Sequence, residues 1–328
     1  MRDKSHSRRD MLRFLGTAPL IAGAAAQAQE LPAPAAAPTP AAPDAAQAPG
    51  QGRGRGGRGR GPVDFWPGLK HLLFIADTQT GYQHDSISHA MATVEQVGRQ
   101  SKTYMTMIKT ENQLISREPI KGTGRYETIG TNSRVLPFYD AVFLLPSGDG
   151  SSLTDEQKAD LLSFVHDDGK GLIVGHAATI GYYNWPEFGD FIGGRFSSEF
   201  NANSTIIVED PKFPGADAFG TSPFDFYEQH PVLKEPYSRD KVHVILRLDP
   251  DKLDAQSRAR RADGDFPVVW AMQYGKGRVF SVGWGHFDAT YDDPRFQKMM
   301  LEGIKWAMGL TPADVTPRPF PDAKPVTA

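Results

Sequence analysis

Residues 64–312 predict an α/β fold built on a doubly wound, mostly parallel sheet. Two observations carry this. Short apolar runs alternate along the chain with longer stretches whose apolar residues recur at helical spacing. The apolar runs also stop at glycine or at polar loops, as strands buried on both faces do.

The elements follow in order. Residues 70–77 (KHLLFIAD) form the first strand, and 78–85 a loop. Ser86 is placed to cap a helix reaching Gln100, with Ile87, Met91, Val94 and Val97 on one face. Residues 102–109 form a second strand. Residues 111–137, rich in turn formers, are an excursion, and 139–145 (YDAVFLL) are a third strand. Thr154 and Gln157 make a capping box for a helix carrying Leu161, Leu162 and Val165, with Gly169 suited to close it. Residues 171–175 (GLIVG) form a fourth strand that runs straight into His176. Later strands are predicted at 204–209, 242–248, 268–273 and 278–282, and a last helix over 294–308. In such sheets ligands bind beyond the carboxyl ends of the strands.

Two segments precede this domain. In residues 1–28, Ser7-Arg8-Arg9-Asp10-Met11-Leu12 matches a twin-arginine signal. An uncharged stretch follows, and Ala26-Gln27-Ala28 offers a cleavage site. The stretch is too short to span a bilayer, so no integral membrane segment is expected in the mature protein, whose expected location is periplasmic or secreted. Residues 29–63 are an Ala/Pro stretch and an Arg-Gly run that cannot bury enough apolar surface to offset ordering, and they read as a solvated linker. Residues 313–328 are a Pro-rich tail.

The net charge is −3, but residues 1–63 hold nine basic against four acidic side chains, which leaves −8 for the rest. An acidic domain repels phosphate backbones, so nucleic acid is not an expected partner. There is no cysteine. Disulfides, thiol nucleophiles and thiolate metal ligands are thereby excluded.

Three histidines follow predicted strands next to glycine: His84 in GYQHDSI (81–87), His176 in GHAAT (175–179) and His286 in GWGH (283–286). A parallel sheet would turn all three toward one crevice. Imidazoles there serve as general acid/base groups or hold a divalent metal such as zinc. Taken singly, each also fits a plain hydrogen-bonded loop residue. Asp85, Asp225 and Asp288 are carboxylates available to orient an imidazole or join a ligand set. Tyr82, Tyr183, Trp185, Tyr227 and Trp284 lie in the same segments and suit stacking on sugar rings, or core packing.

These segments resemble the ThuA-like family, named for trehalose utilisation. The resemblance covers about residues 69–310. It rests on 81–87, on 140–144 (DAVFL) with 153–157 (LTDEQ), on 175–179, on 242–249 (VHVILRLD), on 267–270 (PVVW), on 274–280 (YGKGRVF) and on Gly285-His286. It implies a flavodoxin-like sheet similar to that of class I glutamine amidotransferases. The turn that carries the nucleophilic cysteine in those enzymes holds His176 here, so thioester chemistry is excluded. The resemblance also implies a small carbohydrate as partner, a trehalose-like disaccharide or a keto-glycoside. The family's acidic pair before a tyrosine is reduced here to Phe224-Asp225-Phe226-Tyr227.

The resulting expectation is an exported protein of carbohydrate catabolism, a hydrolase or lyase. His84, His176 and His286 would hold a metal, His176, Asp225 and Tyr227 would be catalytic, and Tyr82, Tyr183, Trp185 and Trp284 would contact substrate. The alternative is a non-catalytic periplasmic protein that binds a sugar or a metal.

Overall fold

The computed structural model describes residues 64–78, 83–123, 131–146 and 153–321. The expected signal peptide and linker lie outside these residues. All of the described residues belong to one compact unit, Gly57–Ala328.

Five strands form the parallel half of a nine-stranded sheet: β1 (Lys70–Ile75), β2 (Tyr104–Lys109), β5 (Ala141–Leu144), β6 (Gly171–Gly175) and β11 (Gly277–Val282). Their spatial order is β2-β1-β5-β6-β11, every neighbouring pair parallel. Alternation along each strand feeds two cores. Leu72 and Phe74 face one way, while Leu73 and Ile75 face the other. Helices α1 (Ile87–Gln100) and α6 (Pro294–Ala307) cover the first face, and α2 (Asp155–His166) and α3 (Phe188–Ile192) the second. This is the expected doubly wound arrangement. The Thr154–Gln157 capping box is formed, and Gly169 takes the left-handed conformation (φ +73°) after α2.

The other half of the sheet is antiparallel. β10 (Pro267–Tyr274) pairs with β11, β9 (His243–Leu248) with β10, and β7 (Arg195–Val208) with β9. β8 (Phe224–Lys234) pairs with β7 at the edge. Sequence reading found only the end of β7, at 204–209, and no β8. Polar residues such as Ser198, Asn201 and Asn203 punctuate the first part of β7, so it lacks the apolar run of a buried strand. β7 meets β9 over Ile206–Val208 alone, which leaves most of the β7–β8 hairpin free to reach the loop after β11.

The excursion at 111–137 contributes a small hairpin of β3 (Ile120–Lys121) and β4 (Thr131–Asn132). The helix α4 (Ala255–Arg258) lies between β9 and β10, and α5 (Asp288–Asp292) between β11 and α6. As far as residue 321, the expected tail lies on the domain: Val315 is buried and Arg318 donates to the Val244 carbonyl. Among the described residues, no helix is long and apolar enough to cross a membrane.

Candidate functional site

β1, β6 and β11 run parallel with only β5 between β1 and β6, so their carboxyl ends open at one edge. Gly175 pairs with Val282 at the ends of β6 and β11, and His176 and His286 leave from there. His84 arrives on the loop between β1 and α1. The three rings meet, with centroids 4.9 Å apart for His84–His176, 5.0 Å for His84–His286 and 5.4 Å for His176–His286. Each offers a ring nitrogen within 4.8 Å of the other two.

Several contacts lock this meeting point. The His176 Nδ1 donates to the Gly283 carbonyl at 2.7 Å. A carbonyl can only accept, so the proton sits on Nδ1 and Nε2 keeps its lone pair. Ser86 has helical backbone angles and its hydroxyl caps nothing. It donates instead to the Gly285 carbonyl at 2.7 Å, which joins the His84 loop to the His286 loop. Gly285 has φ +125°, and a Cβ there would collide with the Tyr291 hydroxyl, so this turn needs glycine. The buried Arg195 donates to the carbonyls of Gly181, Tyr182 and Trp185 and so fixes the loop after His176.

All three imidazoles are held neutral. Burial, then the neighbouring His84, lowers His176 to about 3 against the pull of the Gly283 carbonyl. Burial, then His286, lowers His84 to about 4, with Asp85 opposing. Burial also lowers His286. Neutral imidazoles keep a lone pair for a cation. At about 2.1 Å from each nitrogen, three imidazoles on one ion have centroids about 4.6–5.3 Å apart. The centroid spacing here is of that order, and the donor set suits zinc and its transition-metal neighbours.

Sequence reading missed a carboxylate. Glu228 is fully buried on β8. Its oxygens accept from the Gly285 N–H at 3.1 Å, the His286 N–H at 3.2 Å, the Gln229 N–H at 2.8 Å and the Thr290 hydroxyl. Burial pushes its carboxyl up to about 7 against these four donors. Glu228 thus clamps the backbone that carries His286. The signal was present in the alternation of β8, where Phe224, Phe226, Glu228 and His230 share one face. An acid on an otherwise apolar face needs an internal partner. Behind it, Trp284 Nε1 donates to His230 Nδ1 at 3.3 Å. Gln229, on the opposite face of β8, lays its carboxamide beside the His176 ring.

Asp225, expected to be catalytic, lies away from the histidine cluster. It is exposed and accepts from the Thr205 hydroxyl at 2.8 Å. It sits four residues out from Gln229, about 13 Å along the strand. Trp185 and Trp284, expected to contact substrate, are both buried. Trp185 packs among Tyr182, Phe188 and Phe191, and Trp284 is 1% exposed and stacks on Phe226. Tyr183 is exposed, and its hydroxyl accepts from Lys234 Nζ at 3.1 Å. Tyr227 is 58% exposed and stacks on Phe287 at 5.4 Å. Phe287 in turn meets His286 edge-on at 4.7 Å. Tyr82 lies outside the described residues.

The ThuA family, trehalose utilisation, matches residues 72–307, which is most of the chain and all three histidine loops. The chain belongs to the ThuA family. A putative ThuA-like protein from Bacteroides uniformis is 17% identical, with 77% of this chain and 94% of that one covered and a TM-score of 0.54. A putative ThuA-like protein from Parabacteroides merdae is 16% identical, with coverages of 73% and 90% and a TM-score of 0.50. At these identities the two structures share the fold. No curated protein matches the chain. Membership in the ThuA family supports a carbohydrate-related role.

Proposed function

We propose that this ThuA-family protein is a metal-dependent hydrolase or lyase of a glycoside, a trehalose-like disaccharide or a keto-glycoside. The convergence of His84, His176 and His286 as neutral imidazoles carries the reading. These three residues hold a divalent cation, zinc by donor type. When bound, such an ion polarises a substrate oxygen.

The chain's own residues supply the rest. The Gly283 carbonyl fixes the His176 tautomer, Glu228 steadies His286, and Ser86 ties the two outer loops together. The exposed Tyr227, stacked on the half-buried Phe287 beside His286, offers a sugar ring an aromatic face. The exposed Tyr183 is a second candidate aromatic contact. Cysteine chemistry plays no part, since the chain has none. The twin-arginine pattern at Ser7–Leu12 supports a site of action outside the cytoplasm, to be checked by cell fractionation.

Full-length protein incubated with disaccharides and their keto forms should release products. His176→Ala should lower turnover by at least about 100-fold, with an unchanged circular dichroism spectrum. Wild-type turnover in that variant would refute the reading, and sugar binding without any turnover would convert the protein into a binder.

A further inference from the structure

Two atoms in the site are unexplained by the protein alone. Gln229 Oε1 and His286 Nδ1 are buried, and neither has a hydrogen-bond partner among the described residues. Buried polar atoms normally find one, so such an orphan points to a group that the protein is built to receive. Gln229 as a residue is more than nine-tenths buried, and its carboxamide lies beside the His176 ring. With Nδ1 of that ring donating to Gly283, the lone pair of the ring is on Nε2. Gln229 leaves β8 on the face opposite Glu228, so the strand sends the carboxylate to the His286 backbone and the amide to the His176 ring.

A buried amide oxygen, sealed from solvent and next to a cluster of lone pairs, has two kinds of counterpart: a donor hydrogen or a cation. Solvent does not reach the atom. The His176 ring beside it gives its Nδ1 proton to the Gly283 carbonyl, so its Nε2 has none to donate, which favours the cation.

We propose that Gln229 Oε1 is the fourth protein ligand of the divalent cation at His84, His176 and His286. This rests on the metal reading above and deepens it. The ligand set becomes three imidazole nitrogens and one amide oxygen, all neutral. A cation so held keeps its full charge, and Glu228 is the buried carboxyl behind it, acting through the His286 N–H. An amide oxygen also makes the site harder than three imidazoles alone, and so more hospitable to manganese, iron and cobalt relative to softer ions.

The test uses cobalt(II) as probe on the full-length protein, with affinity read by chelator competition and coordination by the visible absorption spectrum. Gln229→Leu should weaken cobalt binding by about 10–100-fold and change the spectrum. Gln229→Glu, close in shape and able to ligate, should bind at least as tightly as wild type. Should the leucine variant fail to fold, the glutamate variant decides alone, because an added anionic ligand must tighten binding and shift the spectrum. Loss of cobalt in the three histidine variants, with affinity and spectrum unchanged in both Gln229 variants, would overturn the Gln229 ligand and leave the histidine site standing. Failure of wild type to bind cobalt, zinc or manganese at all would overturn both.

Discussion

The Ser86 hydroxyl donates to the Gly285 carbonyl at 2.7 Å, across 199 residues of chain. That bond joins the loop of His84 to the loop of His286, while the Gly283 carbonyl joins His286's loop to His176. The three histidines therefore stand on loops that are fastened to one another as well as to the sheet. Ser86→Ala leaves the Gly285 carbonyl without this donor. The expected loss is about 1–3 kcal/mol of stability, with metal affinity about tenfold weaker. Thermal melts and chelator titration check both. Unchanged values in both would mean that the bond does not hold the loops in register.

The stability of the metal-free protein should depend on pH in a defined window. Burial lowers His84, His176 and His230 to about 4, 3 and 4. Unfolded, each titrates near 6.5, so the unfolded chain takes up protons first as pH falls. Their stabilisation is present above pH 6.5 and is lost as pH falls toward the folded values. Glu228 acts in reverse: raised to about 7, it stabilises below its unfolded value of 4.5 and loses that contribution as pH rises through 7. With more histidines than carboxylates involved, stability should fall from pH 6.5 to 4. Denaturant melts of His230→Gln should show a shallower slope, by about 1.4 kcal/mol per pH unit. An identical slope would show that His230 is not held neutral.

Trp284 should behave as a core residue. It is sealed against Phe226 and Phe219 and donates to His230. Trp284→Ala should cost about 3–5 kcal/mol, seen in urea titration. A variant of wild-type stability that lost only sugar affinity would return Trp284 to the substrate surface.

The parallel half of the fold was legible because its strands are buried on both faces and read as unbroken apolar runs, as in Leu72–Ile75 and Gly171–Gly175. The Thr154 capping box was legible because capping is local. The histidines stood out because each follows a strand, with glycine adjacent to His176 and His286 and three residues before His84. The β7–β8 hairpin was hidden, since its polar residues meet partners far away in sequence. Glu228 was hidden with it, one position past the more conspicuous Asp225 and Tyr227. Ser86 shows the limit of local signals: a residue suited to capping turned its hydroxyl to a carbonyl on another loop. Trp185 and Trp284 have the composition of a sugar platform, but the packing around them buries both, while Tyr227 stays exposed.

The most direct measurement is the metal content of purified full-length protein by elemental mass spectrometry, for wild type and for His84→Ala, His176→Ala and His286→Ala. The account predicts about one divalent ion per wild-type chain and loss of that ion in each variant. A wild type that takes up no ion, even after incubation with zinc, manganese and cobalt, or three variants that all retain it, would contradict it.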